Sequence, residues 1–142
     1  MHVRELAEGE TALAYGVMSQ LRPAWTSAEG FVRVIDDIQR PQGYRLVASF
    51  DEDDRLVSVL GFRSGHSLAW GRYCYVDGLV TAEGARGRGH AGALLEWLAA
   101  EAARMGCGQI HLDSGTRRHA AHRLVSLREG FVISSFHFAK EC

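Results

Sequence analysis

The chain has little of what would classify a protein at a glance. Of its 142 residues only two are proline, Pro23 and Pro41, and no Gly/Ser linker, repeat or low-complexity stretch divides it, so one domain over 1–142 is expected. Three cysteines, Cys74, Cys107 and Cys142, form an odd set without a CxxC pair, which argues against a disulfide framework and for free thiols in a reducing compartment. Neither sign of charge dominates. With 16 basic and 17 acidic side chains the formal net charge is -1, so the basic excess that suits nucleic acid or an anionic membrane is missing. No run approaches the roughly 20 apolar residues of a membrane span, and the opening Met-His-Val-Arg-Glu lacks the apolar stretch of a secretory signal. The expectation is a cytoplasmic protein, monomer or homodimer, with no nucleic-acid or membrane partner.

What is present is 46% hydrophobic residues arranged with two successive periods. Residues 10–21 carry Leu13, Val17 and Leu21 at helical spacing ahead of Pro23, and residues 27–38 carry Phe31, Val34, Ile35 and Ile38. From Gly43 the period becomes that of strands. Residues 44–50 and 55–62 are apolar runs joined by Asp51-Glu52-Asp53-Asp54, a solvated hairpin turn with no catalytic role. In a third strand over 70–81, alternation puts Tyr73, Tyr75, Asp77 and Leu79 on one face and Cys74, Val76, Gly78 and Val80 on the other, while Gly78 suggests a bulge. Residues 89–105 form a helix with the stripe Ala91, Leu94, Leu95, Leu98, Ala102 and Met105, closed by Gly106. A strand at 109–113, a helix at 119–128 and a last strand at 131–138 follow. The fold class is therefore α+β: a mixed, mostly antiparallel twisted sheet flanked by helices, with a central βαβ unit built around a glycine loop.

That loop, Arg86-Gly87-Arg88-Gly89-His90-Ala91-Gly92, is the main functional signal. It opens a long helix whose first NH groups have no intrahelical partner and whose dipole favours an anion. Glycines at 87, 89 and 92 let a phosphate approach, and Arg86 and Arg88 add positive charge. A Walker loop needs Gly-Lys-Ser/Thr, which does not occur. The run does fit GxGxxG, with Asp113 about twenty residues beyond, which keeps a dinucleotide-binding protein as an alternative. Against it, about half the chain precedes the loop, and too little follows to complete a dinucleotide domain.

The same run resembles the Arg/Gln-x-x-Gly-x-Gly/Ala motif of the GNAT superfamily of N-acetyltransferases. Leu79-Val80-Thr81 stands before it, and Leu94-Leu95, Leu112-Asp113-Ser114-Gly115, Ala121-His122-Arg123-Leu124 and Gly130-Phe131 continue the likeness over roughly 43–138. The resemblance implies an acetyl-CoA-dependent N-acetyltransferase with acetyl-CoA as co-substrate and an amine acceptor. It implies that amides from Arg86 to Ala91, with Gly92, hold the pyrophosphate, that Leu79, Val80 and Thr81 offer backbone to pantetheine, and that Ser114 and Arg118 border the cofactor. The cofactor would lie where the strands around Gly78 and Ile110 splay apart.

For the chemistry, the resemblance points to Asp77 as the base that deprotonates the amine. The family's general-acid tyrosine is missing: Val125 follows Leu124, and counting back from Gly130-Phe131 places Ser126 at that position. The usual Asn three residues before Ala121 is replaced by Arg118. Either another group protonates the thiolate or it leaves unaided, and a catalytically weak acetyl-CoA-sensing module is the alternative function. His111, His119, His122 and Cys107 supply no third ligand at metal spacing, so no metal is expected. Trp25, Trp70, Tyr73 and Tyr75 suit either core packing or the wall of an acceptor pocket. The leading helical pair shapes that pocket in the superfamily but carries no motif for the acceptor.

Overall fold

The computed structural model describes residues 1–115, 118–123 and 129–142. Five strands form one sheet in sequence order: β1 (His2–Leu6), β2 (Arg45–Phe50), β3 (Leu56–Ser67), β4 (Gly71–Thr81) and β5 (Gln109–Leu112). All neighbours are antiparallel except β4 and β5, which run parallel. A parallel pair needs a crossover, and the helix α3 (His90–Arg104) supplies it. Ahead of β2 lie α1 (Tyr15–Leu21) and α2 (Ala28–Arg33), and α4 (His119–Arg123) follows β5.

Each face of the sheet buries its own cluster. The α3 stripe of Leu94, Leu95, Leu98 and Ala102 packs on Val47, Leu60, Phe62, Cys74 and Val76, each large apolar side chain contributing about 1.5–3 kcal/mol. Gly106 follows in the left-handed region at φ 76° and stops the helix. On the opposite face Val17, Met18, Phe31 and Ile35 cover Leu46, Ala48, Val59 and Val80. Ser27 caps α2 by accepting the Gly30 amide at 3.1 Å.

The helical pair is less regular than its pattern predicts. A 3₁₀ turn (Glu8–Ala14) leads into α1, and α2 continues as a π-helical stretch (Val34–Gln39). Thr11, Asp36 and Arg40 tie the two pieces together: Thr11 donates to Asp36 at 2.6 Å, and Arg40 donates to Asp36 at 2.8 Å and to Thr11 at 2.9 Å. Strand β1, which the sequence reading did not foresee, pairs along β2 from His2–Phe50 to Leu6–Leu46. The Asp51–Arg55 turn is a solvated hairpin connection, with Asp51 accepting the amides of Asp53 and Arg55.

Two expectations need correction. Residues 131–138 form no strand; Phe131 packs beneath α3, but Val132, Ile133, Phe136 and Phe138 are exposed, so apolar content there does not translate into a sheet ladder. Strand propensity is a preference for a pleated, half-buried surface, and no partner strand among the described residues supplies one. The alternation in β4 also breaks. Gly61 pairs with Gly78 but Phe62 pairs with Val76, which leaves Asp77 as the extra residue of a bulge beside the glycine that signalled it. Before the bulge Cys74 and Val76 face α3, whereas after it Leu79 does and Val80 turns to the α1 side.

Candidate active site

The loop before α3 has the conformation its glycines permit. A short 3₁₀ turn (Glu83–Ala85) closes, and Gly87 (φ 77°) and Gly89 (φ 87°) both take left-handed backbone, which side-chain-bearing residues rarely adopt. A Cβ at Gly87 would meet nothing within 4 Å, and one at Gly89 would meet only Met1 Cε, so the space beside both residues is open. The first α-helical bond of α3 runs from Ala93 to the Gly89 carbonyl, and the amides of His90, Ala91 and Gly92 therefore precede the ladder. Together these groups make a run of amides at a helix N-terminus, an arrangement that suits an anion.

The side chains around it are anchors rather than ligands. Arg86 Nε turns back to donate to the Thr81 carbonyl at 3.3 Å. His90 points inward, 95% buried, with Nδ1 2.7 Å from Ser49 Oγ on β2. Burial, helped by the N-terminal amine and Arg88, holds its imidazole below the ordinary value of 6.5. Arg88, like Arg86, is exposed. Gly92 faces Glu129, whose Oε1 would lie 3.4 Å from an added Cβ.

Leading into this run of amides, β4 has one open edge. Its pairing with β5 covers Tyr73 to Val76 against Gln109 to Leu112, so the strands diverge from Asp77 onward and not at Ile110, which pairs with Cys74. Ala82 donates to Val57 on β3. By strand alternation the backbone of Val80 also faces β3, while that of Leu79 and Thr81 faces the open edge. Ser114, just past β5, has a buried hydroxyl with no hydrogen-bond partner among the described residues. An orphaned buried hydroxyl beside an open strand edge, with a run of amides at the end of that edge, fits a phosphate-bearing, amide-containing ligand. Arg118 is exposed and its amide donates to Gly115; His122 Nε2 lies 2.7 Å from the Gly115 carbonyl, so this histidine braces the turn. Ser126 lies outside the described residues.

At the bulge the strand meets a cavity of about 110 Å³. Met18, Trp25, Phe31, Val34 and Ile35 form its apolar wall, two of them from the π-helical stretch. Arg22, Gln39, Tyr44 and Asp77 supply its polar groups. Two glycines make room for this arrangement. A Cβ at Gly61 would fall 1.9 Å from the Tyr44 hydroxyl, and one at Gly78 would press Leu21 at 3.4 Å. Burial, reinforced by the Asp77 charge, pushes the Tyr44 phenol well above its usual range, so it is a neutral donor at physiological pH.

Asp77 shares a face with Tyr75 but not with Leu79. Arg63 bridges the pair: its Nε lies 3.0 Å from Asp77 Oδ2 and its guanidinium sits 5.1 Å over the Tyr75 ring. Arg22 donates from Nη2 to the Asp77 carbonyl at 2.9 Å. The aromatic set divides: Trp25 lines the cavity, while Trp70 and Tyr73 gather with His111, which stacks on Trp70 at 3.5 Å. Arg22, Arg63 and Tyr44 went unnoticed in the sequence because each lies in a segment without a motif.

Comparison with known proteins meets this geometry from outside. The model of the acetyltransferase (GNAT) family matches residues 13–131. An uncharacterised N-acetyltransferase of Bacillus subtilis (strain 168), YhdJ, is 28% identical over 141 residues, covering 99% of this chain and 98% of that protein. Among solved structures, a transcriptional regulator from Bacillus halodurans C-125 superposes with a TM-score of 0.85 at 21% identity, with 99% of each chain covered. A ribosomal-protein-alanine N-acetyltransferase from Brucella melitensis biovar Abortus 2308 superposes at 0.84 and 15% identity over 100% of both chains.

Proposed function

The chain belongs to the GNAT acetyltransferase family and is an acyltransferase, and on that premise we propose that it moves the acetyl group of acetyl-CoA to the primary amine of a small molecule or peptide. The observation that carries this reading is the run of amides at Gly87, Gly89 and the first turn of α3, continuous with the open edge of β4 and with the cavity at Asp77. Acetyl-CoA supplies an activated acyl group as its thioester.

In this reading the loop amides bind the pyrophosphate, Leu79 and Thr81 pair with the pantetheine amides, and Ser114 donates its unpaired hydroxyl to the same ligand. Arg86 holds the loop to Thr81, and neutral His90 holds it to Ser49. Asp77, raised on the bulge, takes the proton of the incoming amine, directly or through water. The balance is simple: a C–N bond forms, the C–S bond breaks, and one of the two protons lost by the ammonium ends on the thiol of CoA while the other is released. Tyr44, which lines the cavity beside Asp77, is the hydroxyl that donates toward the reacting end. No helix among the described residues is long and apolar enough to cross a membrane.

Release of free thiol from acetyl-CoA across a panel of primary amines tests the proposal. Amine-dependent thiol release matched by acetylated product is expected. A protein that binds CoA yet releases no thiol with any amine would be a sensing module instead.

A further inference from the structure

We propose that the acceptor is a free α-amino acid with a small apolar side chain, its carboxylate held by Arg22 and its amine presented at Asp77. The proposal rests on the acetyltransferase reading and assigns the substrate class of that same site.

Charge is the first argument. Three ionic groups gather at the mouth of the cavity: Arg22 on its rim, Asp77, and Arg63, which is paired with Asp77. The one carboxylate among the residues lining the cavity already has a partner, whereas Arg22 forms no ion pair among the described residues and bonds only a main-chain carbonyl. The sum is one uncompensated positive charge. A diamine or polyamine would bring further ammonium groups against it, but a molecule with one amine and one carboxylate would neutralise it.

Spacing is the second. The Arg22 guanidinium lies within a single 2.9 Å hydrogen bond of the Asp77 main chain. Arg22 and Asp77 therefore line one cavity without forming an ion pair with each other, and a ligand with amine and carboxylate on a single carbon can face both. Arg is also the side chain best shaped to grip a carboxylate with two parallel bonds.

Volume is the third. An apolar cavity of about 150 Å³ holds benzene. About 110 Å³, walled on one side by Met18, Phe31 and Ile35, is room for an aliphatic side chain of a few carbons.

The test compares kcat/KM for leucine, leucinamide and isoamylamine, which share one side chain and differ at the carboxylate. Leucinamide stands for a peptide N-terminus, and putrescine serves as the polyamine. Because these amines differ in basicity, the readout is the change in the leucine-to-isoamylamine ratio on substitution. Arg22→Ala should lower that ratio about ten- to a hundred-fold, the range for a charged hydrogen bond, and Arg22→Lys should restore part of it. A ratio within about threefold of the unsubstituted protein's would overturn the assignment, as would turnover of leucinamide or putrescine that exceeds leucine's. If acetyl-CoA raises the melting temperature but none of the four amines is acetylated, the acceptor proposal fails and cofactor recognition stands. If acetyl-CoA gives no stabilisation, the acetyltransferase reading fails with it.

Discussion

The 86–89 loop and the cavity behind Asp77 lie at opposite ends of one half-strand, yet they are built from different materials. The loop offers main-chain amides, set by two left-handed glycines and the start of a helix within a single stretch of sequence. The cavity is made of side chains drawn from α1, α2, the π-helical stretch, the residue before β2 and the β4 bulge, brought together only by packing. A site made of backbone tolerates side-chain change and is sensitive to φ. A site made of side chains behaves in the opposite way, and substitutions at the two ends should therefore separate cofactor affinity from acceptor turnover.

The largest effect is expected at Asp77. Replacement by Asn keeps the shape and removes the charge, and kcat/KM for the amine should fall about a hundred- to ten-thousand-fold while acetyl-CoA affinity stays within about twofold. Near-normal turnover would reject Asp77 as base. At the other end, Gly89→Val forces a branched side chain into left-handed backbone at φ 87° and projects it into the space beside the loop amides. Calorimetry should show acetyl-CoA affinity reduced about a hundred-fold or more, whatever the acceptor. An unchanged affinity would move the phosphate site elsewhere.

A smaller effect crosses the comparison. Gly61→Ala places a methyl group 1.9 Å from the Tyr44 hydroxyl and must displace the ring from the cavity. The KM for the amine should rise about tenfold with the acetyl-CoA dissociation constant unchanged, a split measurable by steady-state kinetics beside calorimetry. Equal effects on both ligands would show that the two ends are mechanically coupled.

The smallest effect concerns pH. Folding holds His90 below 6.5, so its contribution to stability is complete above that value and is lost as pH falls through the lower folded value. Melting temperatures followed downward from pH 7.5 should decline less steeply for His90→Gln than for the unsubstituted protein. Parallel curves would mean that the Ser49 contact does not depend on a neutral imidazole.

The same contrast explains what could be read without a structure. The turn at Arg86-Gly87-Arg88-Gly89 was legible because its cause is local: the glycines and the helix start are adjacent in the chain. Leu94, Leu95 and Leu98 were legible because one helical period fixes one buried face. At Gly78 the bulge was foreseen, but not that Asp77 would be the extra residue, since that depends on the register with Gly61 and Phe62, sixteen and fifteen positions before Asp77. Strand β1 escaped notice because His2–Leu6 mixes charged with apolar residues, as a short edge strand does. Residues 131–138 misled for the converse reason, since their apolar content satisfies a strand pattern that only a neighbour could complete. Arg22 and Tyr44 enter the cavity through long-range packing, which no spacing rule encodes.

The most direct measurement of the central claim is an amide-resolved NMR titration with CoA. The account predicts that the largest shifts fall on Gly87, Gly89 and the first-turn amides His90 and Ala91, that Leu79 and Thr81 follow, and that NADH leaves all of them unmoved. Loop amides that remain unperturbed at saturating CoA, or that respond to NADH instead, would contradict it.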